Sequence, residues 1–307
     1  PPCALRTERS STLCCERFGN DPDGHQRRRA SVQAGKELDA DRSGDAGIIR
    51  PRWQLNKHVD LADRAQEPQR WADVPKMAYE PTERLKTMDV NGVDGSVLYP
   101  SVAGLAGETF GRLTDPELEL ACVQAYNDWL VEEWASASDR FIPQCLLPLA
   151  PVEAAVSEIK RAVAKGHRGV VFPAVPMMLR DVPHINEPVY DPIWETCQEL
   201  DVPVCFHAGS TKAIQFPPYT GFSSQLTAAM EAITRPVSSV LIVANFLFSR
   251  ILFRFPRLRV VFAETSLAWG AYELELADHQ FERQRLHSEG YEMMPSELFK
   301  RQCYLTG

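Results

Sequence analysis

The feature that most constrains this chain is a series of short apolar runs that lack polar alternation. They are Gly95–Tyr99 (GSVLY), Phe141–Leu149, Gly169–Val175 (GVVFPAV), Val202–His207 (VPVCFH) and Arg259–Glu264 (RVVFAE). A strand with one wet face alternates, whereas a strand apolar throughout is buried on both faces, as in parallel sheets covered by helices. The intervening segments carry helical signals. Glu83 to Asn91 reads as a short helix ended by Gly92, and Asp115-Pro116 as an N-cap with Pro at the first helical position, opening a helix to about Ala137. Pro151 starts another, with Ala155, Ile159 and Val163 on one face. A long helical region from Ser223 to Phe255, helices near Trp269–Arg285 and from Ser296, and a last strand begun by Tyr304-Leu305 complete the pattern.

Alternation of buried strands and helices leaves a doubly wound sheet or a barrel. No glycine-rich phosphate loop follows any strand, which counts against the nucleotide-binding sheet and against a dehydrogenase. A (β/α)8 barrel fits better, although it needs eight strands and five or six are legible. At 307 residues the chain is long enough for one. The formal net charge of -8 argues against a nucleic-acid or anionic-membrane partner. No run approaches the roughly 18 apolar residues of a membrane span. The longest apolar stretch, Val237–Phe255, is broken by Asn245, Ser249, Arg250 and Arg254 and reads as a buried helix. Cys122, Cys145, Cys197, Cys205 and Cys303 fall in apolar segments without a CxxC pair, as reduced core thiols of a cytoplasmic protein would. Residues 1–48, with Arg27-Arg28-Arg29 and little apolar pattern, are expected to be disordered or foreign to a domain spanning 49–307.

In a barrel, catalytic groups stand at the carboxyl ends of strands. Those ends carry Tyr99, Leu147-Pro148, Pro173, His207 and Glu264. Only His207 and Glu264 among them can ligate a metal or move a proton, although a lone strand-end His can also be a hydrogen-bonded structural residue. Glu264 follows Val260-Val261-Phe262-Ala263, and a carboxylate so placed persists only if paired, hydrogen-bonded or metal-bound. His184, in the loop DVPHINEP, could reach a site mouth or stay on the surface, and Tyr99, Phe206 and Trp269 could line a pocket or simply pack. His167, beside a helix-ending glycine, suits an imidazolium at a helix C-terminus. His279 and His287 read as solvated, and His25 and His58 lie in poorly patterned sequence. Ser210 follows His207 closely, but no Gly-x-Ser-x-Gly elbow surrounds it.

Six segments taken in order resemble the amidohydrolase-related family that contains aminocarboxymuconate-semialdehyde, resorcylate and dihydroxybenzoate decarboxylases. They are Met88–Ser101, Ala125–Leu130 (AYNDWL), Asp139–Leu149, Arg168–Pro176, Tyr190–Ser210 and Phe255–Asp278, within roughly three quarters of the chain. The resemblance implies a (β/α)8 TIM barrel of the metal-dependent hydrolase type, one divalent metal (zinc or manganese), a small-molecule substrate and a homodimer. It implies that His207 is a metal ligand and that Glu264, in Glu264-Thr265-Ser266-Leu267-Ala268-Trp269, is the catalytic group where relatives often carry His. Tyr99, Phe206, Trp269 and His184 are then the substrate-binding candidates. Two motifs of the family are not found: the first-strand His pair, of which Leu38-Asp39-Ala40-Asp41-Arg42 is at most a faint trace, and the eighth-strand Asp. The expectation is a barrel lacking strands 1 and 8, with little metal-dependent activity. The reaction expected by resemblance is decarboxylation or hydrolysis of a small carboxylated or cyclic substrate; the alternative is an inactive barrel fragment or scaffold.

Overall fold

The computed structural model describes residues 72, 74–101, 103–208, 221 and 223–307. The expectations for residues 1–48, for the boundary at 48, for His25, His58 and Ser210 and for the Leu38–Arg42 stretch lie outside the described residues. Among the described residues six strands form one sheet: β1 (Ser96–Leu98), β2 (Phe141–Leu146), β3 (Gly169–Val171), β4 (Val204–His207), β5 (Val260–Ala263) and β6 (Cys303–Leu305). Their spatial order is their order in the chain, and every neighbouring pair is parallel. A doubly wound sheet reverses its order at a switch point. This one never does, which is the order of a barrel wall.

Helices separate the strands. After α1 (Pro81–Asn91), α2 (Pro116–Trp129) links β1 to β2, α3 (Val152–Lys165) links β2 to β3, and α4 (Asp191–Glu199) links β3 to β4. The α5 (Ser224–Phe248) and α6 (Ile251–Arg254) helices precede β5, and α7 (Ala268–Arg283) and α8 (Pro295–Gln302) precede β6. Local chemistry sets their ends. The Asp115 carboxylate accepts the Glu117 and Leu118 amides ahead of Pro116, and Gly92 closes α1 in the left-handed region at φ 65°. The α3 helix turns Val152, Ala155, Ile159 and Ala162 inward, and full burial of Ile159 alone stabilises by about 2 kcal/mol.

The parallel register sorts the apolar runs into two layers. Cys145, Val170, Val204, Val260 and Cys303 lie level with one another in the layer packed under the helices. One residue on, Leu146, Val171, Cys205, Val261 and Tyr304 form a second row on the opposite, inner face. A Cβ at Gly169 would lie 2.0 Å from Gln144 Oε1 on the neighbouring strand, so any larger residue there would displace the Gln144 side chain. Cys145, Cys197, Cys205 and Cys303 are buried free thiols, and Cys122 is half-buried.

The structure revises several expectations. The β2 and β3 strands stop at Leu146 and Val171, short of Leu149 and Val175, near Pro148 and Pro173, which have no N–H to give a ladder. The long helix breaks at Arg250, whose φ is +64°, leaving α6 as a separate turn. Nor is that helix buried all round, since Val237 is 51% and Leu241 50% exposed. His167 is buried, which disfavours the imidazolium expected at the helix C-terminus. Its Nε2–H donates to the Asn127 carbonyl at 2.9 Å, and burial holds its pKa below the usual imidazole value. Among the described residues no helix is long and apolar enough to cross a membrane.

Candidate active site

Period-two geometry decides what the carboxyl end of β4 presents. His207 lies two residues beyond Cys205 and therefore continues the inner row, level with Ala263 on β5. Its side chain has no solvent exposure. The buried Tyr99, just past β1, meets the His207 ring edge-on with centroids 5.0 Å apart, so two strand ends that share no hydrogen bond converge on one imidazole.

The protonation of that imidazole follows from its partner. His207 Nδ1 lies 2.7 Å from the Ala208 carbonyl oxygen, which can only accept, so Nδ1 carries the hydrogen. Nε2 points the other way, 3.5 Å from Glu264 Oε2. A bare nitrogen lone pair facing a carboxylate is repulsive. A proton or a cation between the two groups would relieve that repulsion. Glu264 is the wetter partner, its side chain 39% exposed, so the pair runs from the buried layer to the mouth.

Glu264 reaches this position by leaving strand geometry. Strict alternation would carry it to the side of Phe262, under the helices. Instead its φ is +55°, and Ser266 two residues later has φ +62°. Each left-handed non-glycine residue costs about 1–2 kcal/mol, and such residues persist only where surrounding contacts over-determine them. Here Glu264 N–H donates to Thr306 Oγ1 at 3.0 Å, Thr265 N–H to the Thr306 carbonyl at 2.9 Å, and Thr306 N–H to the Phe262 carbonyl at 3.0 Å. Trp269 Nε1–H closes the turn by donating to the Thr265 carbonyl.

Of the residues singled out from the sequence, His207, Glu264 and Tyr99 come together, and Trp269 sits behind the turn that aims Glu264. Phe206 faces the other way, into the helix-covered layer, with its ring 4.8 Å from Phe246 of α5. His184 is exposed, and its Nδ1 accepts the Asn186 amide at 3.2 Å. Sequence reading missed Thr306, whose contact spans 42 residues, and gave no role to Asn127 although AYNDWL was noted. The Asn127 side chain donates to the Leu146 carbonyl at 3.0 Å and accepts the Leu146 amide at 2.8 Å. It thus completes β2 beyond the end of its pairing with β1, beside the site wall.

One imidazole and one carboxylate make two donors, whereas catalytic zinc takes three protein ligands. Among the described residues no group of three His, Cys, Asp or Glu is placed to hold a metal ion. The described residues do not compose the metal centre that the resemblance implies.

A family model described as "Amidohydrolase" matches residues 57–303. Gamma-resorcylate decarboxylase of Rhizobium radiobacter is 30% identical over 129 residues, which are 40% of this chain and 37% of that protein. The match thus spans little more than a third of that curated relative. A crystal structure of an amidohydrolase from Mycobacterium avium subsp. paratuberculosis K-10 aligns with TM-score 0.59 and 21% identity over 83% of this chain and 65% of the other. Dihydroxybenzoic acid decarboxylase from Polaromonas sp. JS666, solved with bound manganese and the inhibitor 2-nitroresorcinol, aligns with TM-score 0.55 and 19% identity over 80% and 73%. At these identities the likeness is one of fold, and the fold is the α/β barrel type to which the sheet order points.

Proposed function

The chain belongs to the amidohydrolase family, and from that premise we propose that it is a carboxy-lyase of small phenolic acids, with its active site at the carboxyl ends of β4 and β5. The reading takes residues 49–307 as one unit and β1 to β6 as strands two to seven of the barrel. The observation that carries it is the buried His207 imidazole, its tautomer fixed by Ala208, facing Glu264 across 3.5 Å. The decarboxylase relatives favour this reaction over hydrolysis.

Decarboxylation of a hydroxybenzoate replaces a ring-to-carboxylate bond by a ring-to-hydrogen bond. A proton is delivered to the ring carbon that bears the carboxylate, the electron pair of the breaking C–C bond returns to the ring, and CO2 departs. The His207–Glu264 pair holds a proton where such a carbon could stand, at the mouth of a buried layer, and positioned acid–base groups of this kind contribute about 10²–10⁴-fold. Tyr99 keeps the imidazole plane fixed, and Trp269 supports the turn that carries Glu264. The described residues supply two metal donors only, and the proposed place of His207 in a ligand set rests on the resemblance alone.

The test is CO2 release from 2,6-dihydroxybenzoate by the purified chain, with and without added manganese. Turnover that falls about 100-fold in Glu264→Gln supports the reading. Hydrolysis of lactones or amides without CO2 release overturns it. The two-donor count favours a second reading, a barrel that binds phenolic acids without turning them over. Calorimetric binding of 2,6-dihydroxybenzoate with no CO2 release would establish that one.

A further inference from the structure

We infer that Thr306 is a positioning residue for Glu264, holding the left-handed turn that aims the carboxylate at His207. Three hydrogen bonds from this one residue bracket the turn. Its N–H goes to the Phe262 carbonyl at 3.0 Å as the last rung between β5 and β6, its carbonyl takes the Thr265 amide at 2.9 Å, and its hydroxyl takes the Glu264 amide at 3.0 Å. The first two are backbone bonds that any residue at 306 keeps. The third depends on the side chain, and it acts on the residue whose φ is +55°.

The geometry explains why that bond matters. The Ala263 carbonyl accepts the Ala208 amide at 2.8 Å on the β4 side, so across the trans peptide the Glu264 amide points to β6. There the Thr306 hydroxyl receives it, and the left-handed φ at 264 lets the next amide, Thr265 N–H, face β6 as well, where an extended residue would send it to β4. Without the hydroxyl that amide loses its acceptor, and the strained backbone loses the contact that rewards it. The low-energy relaxation is an extended φ at 264, which by strand alternation swings the carboxylate to the Phe262 side of the sheet. The His207–Glu264 approach of 3.5 Å then cannot form.

This inference rests on the proposed role of Glu264, but its test does not need turnover. Amide hydrogen exchange at Glu264 is compared in the wild-type chain, Thr306→Val and Thr306→Ser, with thermal melts to confirm that each is folded. The valine variant is expected to lose at least about tenfold of the protection at Glu264, while the serine variant, which restores the hydroxyl, stays within about threefold of wild type. CO2 release from 2,6-dihydroxybenzoate is expected to follow the same order, with kcat about tenfold lower in the valine variant at unchanged KM. Unchanged protection in Thr306→Val, or equal loss in both variants, overturns the inference. If the wild-type chain releases no CO2 while exchange still separates valine from serine, the carboxy-lyase reading fails and the positioning role stands.

Discussion

The Asn127 cluster and the His207–Glu264 end of the sheet both set polar groups in apolar surroundings, yet they are built in opposite ways. Around Asn127 the partners are many and unstrained. Its amide bonds both backbone groups of Leu146 and reaches Glu158 at 2.7 Å, and Arg161 holds Glu158 through two donors at 2.7 and 2.8 Å while also reaching Asp128. At the other end one imidazole and one carboxylate meet at 3.5 Å, and the carboxylate stands on a left-handed residue. Saturated networks rigidify a fold, whereas strain and long polar approaches gather where chemistry is done. The first cluster therefore carries stability, and the second is the end of the sheet to which the proposed chemistry is assigned.

Substitutions can break that division. The largest effect is expected from Asn127→Leu, which strips the Leu146 backbone and the Glu158 carboxylate of a partner at once. A loss of about 3 kcal/mol or more in urea denaturation is expected, and a loss below about 1 kcal/mol would undo the contrast. Glu264→Gln should do the reverse, lowering turnover about 100-fold while changing stability by less than about 1 kcal/mol.

The Asn127 cluster should also give the chain a pH dependence with a definite sign. Burial lowers the pKa of His167 below its ordinary 6.5, so above pH 6.5 the imidazole is neutral in both folded and unfolded chains. Below that value the unfolded chain takes up a proton that the folded one refuses, and stability falls as pH falls, by up to about 1.4 kcal/mol per pH unit. His167→Gln, which keeps a donor for the Asn127 carbonyl, should flatten urea midpoints between pH 7.5 and 5. An unaltered slope would separate His167 from the cluster. The smallest effect is expected from Glu264→Gly. Relief of the left-handed backbone outweighs the added freedom of the unfolded chain by about 0.5 kcal/mol, so the protein should melt slightly higher while losing the proposed activity.

Much of this architecture could be read locally. Apolar runs, the Asp115-Pro116 cap and the Gly92 stop are short-range signals, and each marks an element that the structure contains. Facing was harder. A strand buried on both sides has no alternation, so nothing in VCFH told that Phe206 turns to the helices while His207 turns to the inner face. Glu264 was legible as a carboxylate needing a partner, but its left-handed backbone was not, because glutamate carries no signature for that conformation. Thr306 was invisible for another reason: its role exists only once β6 lies beside β5.

The buried thiols give the chain an internal clock. Burial pushes Cys145, Cys197 and Cys303 well above the usual thiol range, which leaves almost no thiolate for an alkylating reagent to meet. Cys145 and Cys303 stand level with each other along the sheet, on β2 and β6, and Cys197 lies on α4 above it. Once the half-buried Cys122 is capped, each of Cys145, Cys197 and Cys303 that reacts dates the opening of one named part of the wall. The order in which they react reads out, without any added label, which edge of the sheet lets go first.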